Sequence, residues 1–367
     1  MSTFKKLLSP YNLKNIALSN RMVMAPLTRS RSTVNHVPTP IMAAYYGERS
    51  SAGLIITEGT APSPNGAGYP RIPGIYNEEQ IKAWKVVADA VHVNGGKIFM
   101  QLMHTGRISH PENMADNATI LAPSAITPKS VKMYVDGKGD LDVPQPQEMT
   151  TEDIAHATQE HVQAAKNAIK AGFDGVELHS ANGYLLDQFI NPHANKRTDH
   201  YGGSPENRSR LTLEVTKAII DAIGADRVGI RLSPNGGMND AGPFDNQEET
   251  FKHIADHLEK LSLAYVHLVN HEAMGAPALP EEIRTYFRKT FSSTLILSGG
   301  YDAQTAEDDL NKDLGDLVAF GRPFLANPDL VTRYTEHADL NEPNPETFYT
   351  PGKEGYLDYP ILHKVQE

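Results

Sequence analysis

The chain is predicted to fold as a single (β/α)8 TIM barrel, an α/β protein with a hairpin-bearing insertion after its third strand, and three observations carry that expectation. Eight short apolar runs rich in Val, Ile and Leu recur along its 367 residues. Turn residues and then helical patterns follow them, and strands alternating with helices imply a parallel sheet. Eight such units point to a closed barrel more than to an open doubly wound sheet.

The runs lie at 21–27, 53–58, 97–104, 175–179, 228–233, 265–270, 294–299 and 317–321, with amphipathic helical stretches at 78–93, 151–171, 205–223 and 247–261. Two helix starts are well signalled. Thr150 followed by Asp153 resembles a capping box, and Ser204-Pro205 offers an N-cap with proline at the first helical position. One connection, 105–150, is too long for a plain turn, and long loops in compact domains are usually lids or binding elements. Within it, 131–135 and 141–143 flank Asp136-Gly-Lys-Gly139, which reads as a small hairpin able to cover a site.

Composition narrows the function. Hydrophobic residues make up 40% and charged residues 22%, ordinary for a globular protein. Lys plus Arg number 34 against 45 Asp plus Glu, a net charge of −11 without a basic run, so nucleic acid and anionic membrane surfaces are not expected partners. The absence of cysteine excludes disulfides, thiolate zinc sites, iron–sulfur clusters and a cysteine nucleophile. The stretch before Pro10 has too few apolar residues for a signal-peptide core, and no stretch approaches a membrane span, so a cytoplasmic location is expected. No interface is legible; a monomer or weak homodimer is expected.

Chemistry in such barrels gathers at the carboxyl ends of the strands. There the sequence places Ala25-Pro26-Leu27-Thr28-Arg29, then Glu58-Gly59, Gln101 with His104, His179 with Asn182, Arg231, Ser298-Gly299-Gly300 and Gly321-Arg322. Strand six ends in Asn270 and His271, to which the sequence assigns no role. The glycines after strands seven and eight suit a phosphate, because their backbone N–H groups can approach it closely and Arg322 adds a bidentate donor. A glycine turn beside a surface arginine is the alternative.

The stretch HSANGYLLDQF (179–189) raises a sharper question, since it ends a buried strand with His179, Asn182 and Tyr184, three polar groups that a core cannot easily satisfy. Together with APLTR (25–29), QLMHTGR (101–107), YGGSPENR (201–208) and FGRPF (320–324), it resembles the Old Yellow Enzyme family of flavin-dependent ene-reductases, nearly end to end. The likeness is to the bacterial branch that includes N-ethylmaleimide reductase and pentaerythritol tetranitrate reductase.

That resemblance implies a non-covalent FMN, and the absence of a GxGxxG fingerprint agrees with a mononucleotide on a barrel. It implies that Ala25, Pro26, Leu27 and Gly59 pack near the ring, that Thr28 bonds a ring carbonyl, and that Gln101 meets the pyrimidine edge. Arg231 is expected near N1 and O2, and Gly299, Gly300, Gly321 and Arg322 at the phosphate. A salt bridge from Arg231 to Glu177 or Glu58 is the structural alternative. His179 and Asn182 are expected to donate to the carbonyl or nitro oxygen of an electrophilic alkene or nitro substrate while Tyr184 protonates the α-carbon, after hydride transfer from flavin N5. NADPH or NADH is the implied reductant, in ping-pong order, with Met103 and Tyr349 lining the substrate pocket.

Departures and competitors bound this reading. Met103 stands where tryptophan is expected, and Gly59 where alanine is common, so the substrate range of relatives does not transfer. His253 and His257 mimic a zinc pair at i, i+4, but the helix is highly charged and no metal is expected. Asn117 and Asn207 match glycosylation patterns without a secretion signal to give them meaning. A sugar-phosphate aldolase or isomerase often needs a Schiff-base lysine or metal carboxylates at strand ends, and this chain has only Glu58 and Glu177 nearby and no lysine there. A non-catalytic flavin carrier would have no use for His179, Asn182 and Tyr184.

Overall fold

The computed structural model describes residues 3–362; the first two residues of the amino-terminal stretch considered above lie outside them. Eight parallel strands close into a barrel: β1 (Met22–Met24), β2 (Leu54–Ile56), β3 (Ile98–Leu102), β4 (Gly175–Ser180), β5 (Val228–Leu232), β6 (Tyr265–Val269), β7 (Thr294–Ser298) and β8 (Leu317–Phe320). Consecutive strands pair, and β8 returns to β1. Every strand is buried along its whole length, as strands covered on both faces require. Each apolar run is thus a barrel strand, though shorter than the run at several ends. Pro26 shows why, since it extends the first run without an N–H to give the ladder.

The outer helices include α1 (Pro40–Gly47), α2 (Glu78–His92), α3 (Thr151–Lys170), α4 (Pro205–Ile223), α5 (Gln247–Leu261), α6 (Glu281–Thr290) and α7 (Ala303–Asn311). The capping box at α3 forms in both directions, and Ser204 Oγ accepts from the Asn207 N–H to start α4. Along α3 the buried residues Ile154, Ala157, His161, Ala164, Ala165 and Ala168 recur at helical spacing and face the sheet. No helix among the described residues is long and apolar enough to cross a membrane.

Three additions decorate the barrel. A hairpin of Tyr11–Leu13 and Ile16–Leu18, too short to stand out in the sequence, packs Leu13 and Leu18 against Val23, Leu54 and Leu317 and caps the end where the strands begin. The expected hairpin in 105–150 pairs Lys132–Val135 with Gly139–Asp142 at the opposite end. The carboxyl-terminal segment returns to the barrel mouth, where Arg29 Nη2 donates to the Gly355 carbonyl at 2.7 Å and Tyr356 stacks on Tyr45 at 4.0 Å.

Candidate active site

Strand register decides which side chains meet. Cα pairing sets His179 of β4 beside Arg231 of β5, and Arg231 beside His267 of β6, so these three share one layer of the barrel. One layer below, Gln101 pairs with Glu177. Glu177 accepts from Gln101 Nε2 at 2.8 Å and bonds His267 Nδ1 at 2.9 Å. Burial opposes ionisation of Glu177, but His267, Arg231 and Gln101 outweigh it and hold its pKa below the usual range. Arg231 itself makes no ion pair among the described residues, and its Nε is buried without a partner. Neither Glu177 nor Glu58 takes up its guanidinium; Glu58 instead accepts from the Arg29 N–H and the Tyr46 hydroxyl.

Arg231 opens onto an inner cavity of about 450 Å³. Its walls include Ala25, Pro26, Leu27 and Thr28 after β1, Asn270 and His271 after β6, Ser298 at the end of β7 with Gly299 and Gly300 beyond it, and Gly321 and Arg322 after β8, with Phe348 and Tyr349 from the tail. Gly299 has φ +123°, and a Cβ there would collide with the Asn270 carbonyl, so only glycine brings the backbone this close. The buried Ser298 hydroxyl lacks a partner. Gln101 and Gly59 are not among the wall residues. A Cβ on Gly59 would strike the thioether of Met103, which is itself 1% exposed and packs with Ala61, Ala67 and Ile72.

An outer cavity of about 610 Å³ adjoins the first and shares Thr28 and Tyr349 with it. Tyr69, Tyr184, Met133, Tyr134, Met238 and Asn239 line it, so the hairpin of the insertion forms one wall. His179 and Tyr184 meet at 4.9 Å, edge to face. Tyr184 shares a 3.1 Å hydrogen bond with the hydroxyl of Tyr69. Burial raises the Tyr184 pKa against the opposing Tyr69 bond, so the phenol keeps its proton at neutral pH. Burial, with the Arg231 charge next in size, pushes His179 well below its ordinary value and keeps the ring neutral. Its Nδ1 is buried without a partner. Asn182 stands at φ +60° and bonds His271 through its side chain.

The sequence did not mark Tyr69, which sits in a loop as one tyrosine among 15. Nor did it give His271 a use, although its place at the end of a strand was visible. The His253 and His257 rings lie 4.2 Å apart and tilted on α5, where His257 Nδ1 bonds the His253 carbonyl.

Comparison with known proteins now bears on the site. The sequence profile of the NADH:flavin oxidoreductase / NADH oxidase family matches residues 6–341. The chain belongs to this family. Among relatives of this flavin oxidoreductase, a putative 12-oxophytodienoate reductase 3 of Oryza sativa subsp. japonica is 42% identical over 98% of this chain and 94% of its own. A probable flavin mononucleotide-dependent alkene reductase of Leishmania infantum is 41% identical, with 97% of each chain covered. Among solved structures, morphinone reductase superposes with a TM-score of 0.94 at 42% identity over 98% of each chain. The old yellow enzyme homologue of Zymomonas mobilis gives 0.93 at 39% identity, covering 98% of this chain and 100% of that one.

The motif resemblance to Old Yellow Enzymes is therefore borne out, as are the barrel and the oxidoreductase class with FMN as cofactor. The residues present fit that cofactor. An unpaired buried guanidinium and a partnerless buried hydroxyl are costly unless a polar ligand uses them, and glycines at φ +123° and +72° leave the wall beside them free of side chains. A cavity of this volume lies within the range of about 300–1,000 Å³ typical of small-molecule sites.

Proposed function

We propose that this flavin oxidoreductase reduces the activated C=C bond of α,β-unsaturated carbonyls, maleimides or nitro compounds, with NADPH or NADH as electron source. The supporting observation is that a neutral His179 meets a proton-bearing Tyr184, which lines the outer cavity, while Asn182 bonds His271, which lines the inner one. FMN, when bound and reduced, supplies a hydride from its ring N5. In this reading Gly299, Gly300, Gly321 and Arg322 hold its phosphate, and Ala25, Pro26, Leu27 and Thr28 hold one side of its ring. Gln101, with its Nε2 given to Glu177, keeps Oε1 for the pyrimidine edge, while Arg231 places a fixed positive charge beside the ring. Gly59 acts at second hand by seating Met103.

His179 and Asn182 then donate to the carbonyl or nitro oxygen on which negative charge grows, and losing one such donor typically costs ~3 kcal/mol of transition-state stabilisation. Tyr184 gives its proton to the α-carbon, and its raised pKa means that the proton is present to give. The nicotinamide and the acceptor use the same place in turn, giving ping-pong kinetics. Tyr349, which lines both cavities, and Met103 behind the wall shape the acceptor's surroundings. We read the chain as one FMN-binding unit whose 105–150 insertion closes over substrate, in the likeness of the N-ethylmaleimide and pentaerythritol tetranitrate reductase branch.

The test is spectroscopic. The purified protein should be yellow, bleach on anaerobic addition of NADPH, and regain colour when cyclohexenone or N-ethylmaleimide is added; bleaching that no electron-poor alkene reverses would discard the proposal. Tyr184→Phe should leave bleaching by NADPH intact yet slow recolouring by the alkene about 10²–10⁴-fold. Equal slowing of both halves would contradict the acid role.

A further inference from the structure

We infer that His271 is a positioning residue that fixes the amide orientation of Asn182 and so makes the site select acceptors presenting a bare oxygen. The inference rests on the proposed donor role of Asn182. The backbone of Asn182 is already held from two sides. Its N–H donates to Ser233 Oγ at 2.8 Å, and its carbonyl accepts from Asn239 Nδ2 at 2.8 Å. What this leaves open is the rotation of the side-chain amide, whose Oδ1 and Nδ2 are nearly the same size but opposite in hydrogen-bonding sense.

His271 closes that choice. Its Nε2 lies 2.6 Å from Asn182 Oδ1, and the residue is 7% exposed at the end of β6. Its own backbone is pinned, since its carbonyl accepts from the N–H groups of Met274 at 2.8 Å and Ala276 at 3.3 Å. Burial first, and the Arg231 charge second, lower its pKa to about 4. The ring is therefore neutral near pH 7, with a single N–H. An amide oxygen cannot donate, so a 2.6 Å contact with Oδ1 requires that hydrogen on Nε2. The consequence lies on the far side of the amide. Asn182 Nδ2 has no partner among the described residues and keeps both hydrogens for a ligand. The reversed amide would turn Oδ1 toward the acceptor and repel the oxygen on which charge develops.

A double-mutant cycle separates positioning from direct contact. Calorimetry would give the dissociation constant of a para-substituted phenol, whose phenolate is a bare oxygen. The flavin-loaded proteins compared are the parent, His271→Leu, Asn182→Ala and the double variant, matched in flavin content by visible absorbance. His271→Leu should weaken the phenol about tenfold in the parent and not at all in the Asn182→Ala background, the scale of one hydrogen bond to a charged group. His271→Gln, whose amide can donate to the same Oδ1, should restore most of the loss. If the leucine variant fails to hold flavin, His271→Asn, too short to reach Oδ1, takes its place in the cycle. An equal loss in both backgrounds would overturn the inference, because His271 would then act on cofactor or ligand itself. Weakening by Asn182→Ala beside an unaltered His271→Leu would overturn the inference alone. Unchanged affinity in Asn182→Ala would overturn the donor role of Asn182 and the inference with it.

Discussion

The inner and outer cavities are built in opposite ways. The inner one is walled mostly by strand ends from β1, β5, β6, β7 and β8, whose spacing is fixed by barrel register. The outer one takes its walls from the loop bearing Tyr69, the hairpin bearing Met133 and Tyr134, the loop bearing Met238, and the tail. Among the described residues only Thr28 and Tyr349 belong to both. On the proposed reading the cofactor side is thus set by the scaffold, whereas the acceptor side is an assembly of segments distant in sequence, free to vary without disturbing the barrel.

The largest test of that division is Arg231→Met. A buried guanidinium without an ion-pair partner destabilises a fold until a ligand's acceptors meet it. The variant should therefore lose flavin and at least about 10² of turnover, on the scale of losing one preorganised electrostatic donor. Its cofactor-free form should melt no lower than the cofactor-free parent. A large drop in that melting temperature would show that Arg231 is a structural group after all.

Histidine titration sharpens the same contrast. His271, in the inner wall, is lowered to about 4 by burial and by Arg231; His161, on the buried face of α3, is lowered to about 4 by burial against an opposing bond to the Ala157 carbonyl. In both cases the folded value lies below the unfolded one, near 6.5, so between these pH values the unfolded chain binds the extra proton. Stability is then complete above about pH 6.5 and falls as pH drops toward about 4. For the fully buried His161 the loss at pH 4 is about 3 kcal/mol. His161→Gln should make that acid limb of the melting curve shallower, with the other buried histidines still contributing to it. In Arg231→Met, NMR titration should find the His271 pKa higher and that of His161 unmoved; a joint shift would mean that the two regions are not electrostatically separate.

The same division explains what the sequence disclosed. Eight apolar runs marked the strands, and strand order around a closed barrel did the rest, so Arg231, His179 and the glycines after β7 and β8 could be grouped at one end from the sequence alone. Tyr69 could not, because its partnership with Tyr184 is made by loops whose paths no periodicity encodes. His271 was visible at a strand end but mute, since its meaning lies in one contact to Asn182. Arg29 read only as the end of the APLTR motif, and Arg31 carried no signal. Their guanidinium groups in fact bind carbonyls of the tail at Thr347, Phe348, Glu354 and Gly355, a docking that needs three dimensions to see.

The smallest predicted effect lies at the rim of the outer cavity. Arg71 donates from Nε to the Ser30 carbonyl at 3.0 Å and from Nη2 to the Tyr349 carbonyl at 2.9 Å, while its Nη1 pairs with Asp136 at the hairpin tip. One side chain thus ties the β1 loop, the tail and the hairpin together. Asp136 is nearly half exposed, and exposed pairs contribute about 0–1 kcal/mol, so Asp136→Asn should leave the melting temperature within a degree or two. If the hairpin covers bound acceptor, KM for a bulky enone should rise up to about fivefold, the span of that same energy, with kcat and flavin content unchanged. Added salt should raise the parent's KM toward the variant's, because the pair is screened. A KM indifferent to both the substitution and the salt would mean that the hairpin is fixed wall and not a moving cover, and the acceptor side would then be as rigid as the cofactor side.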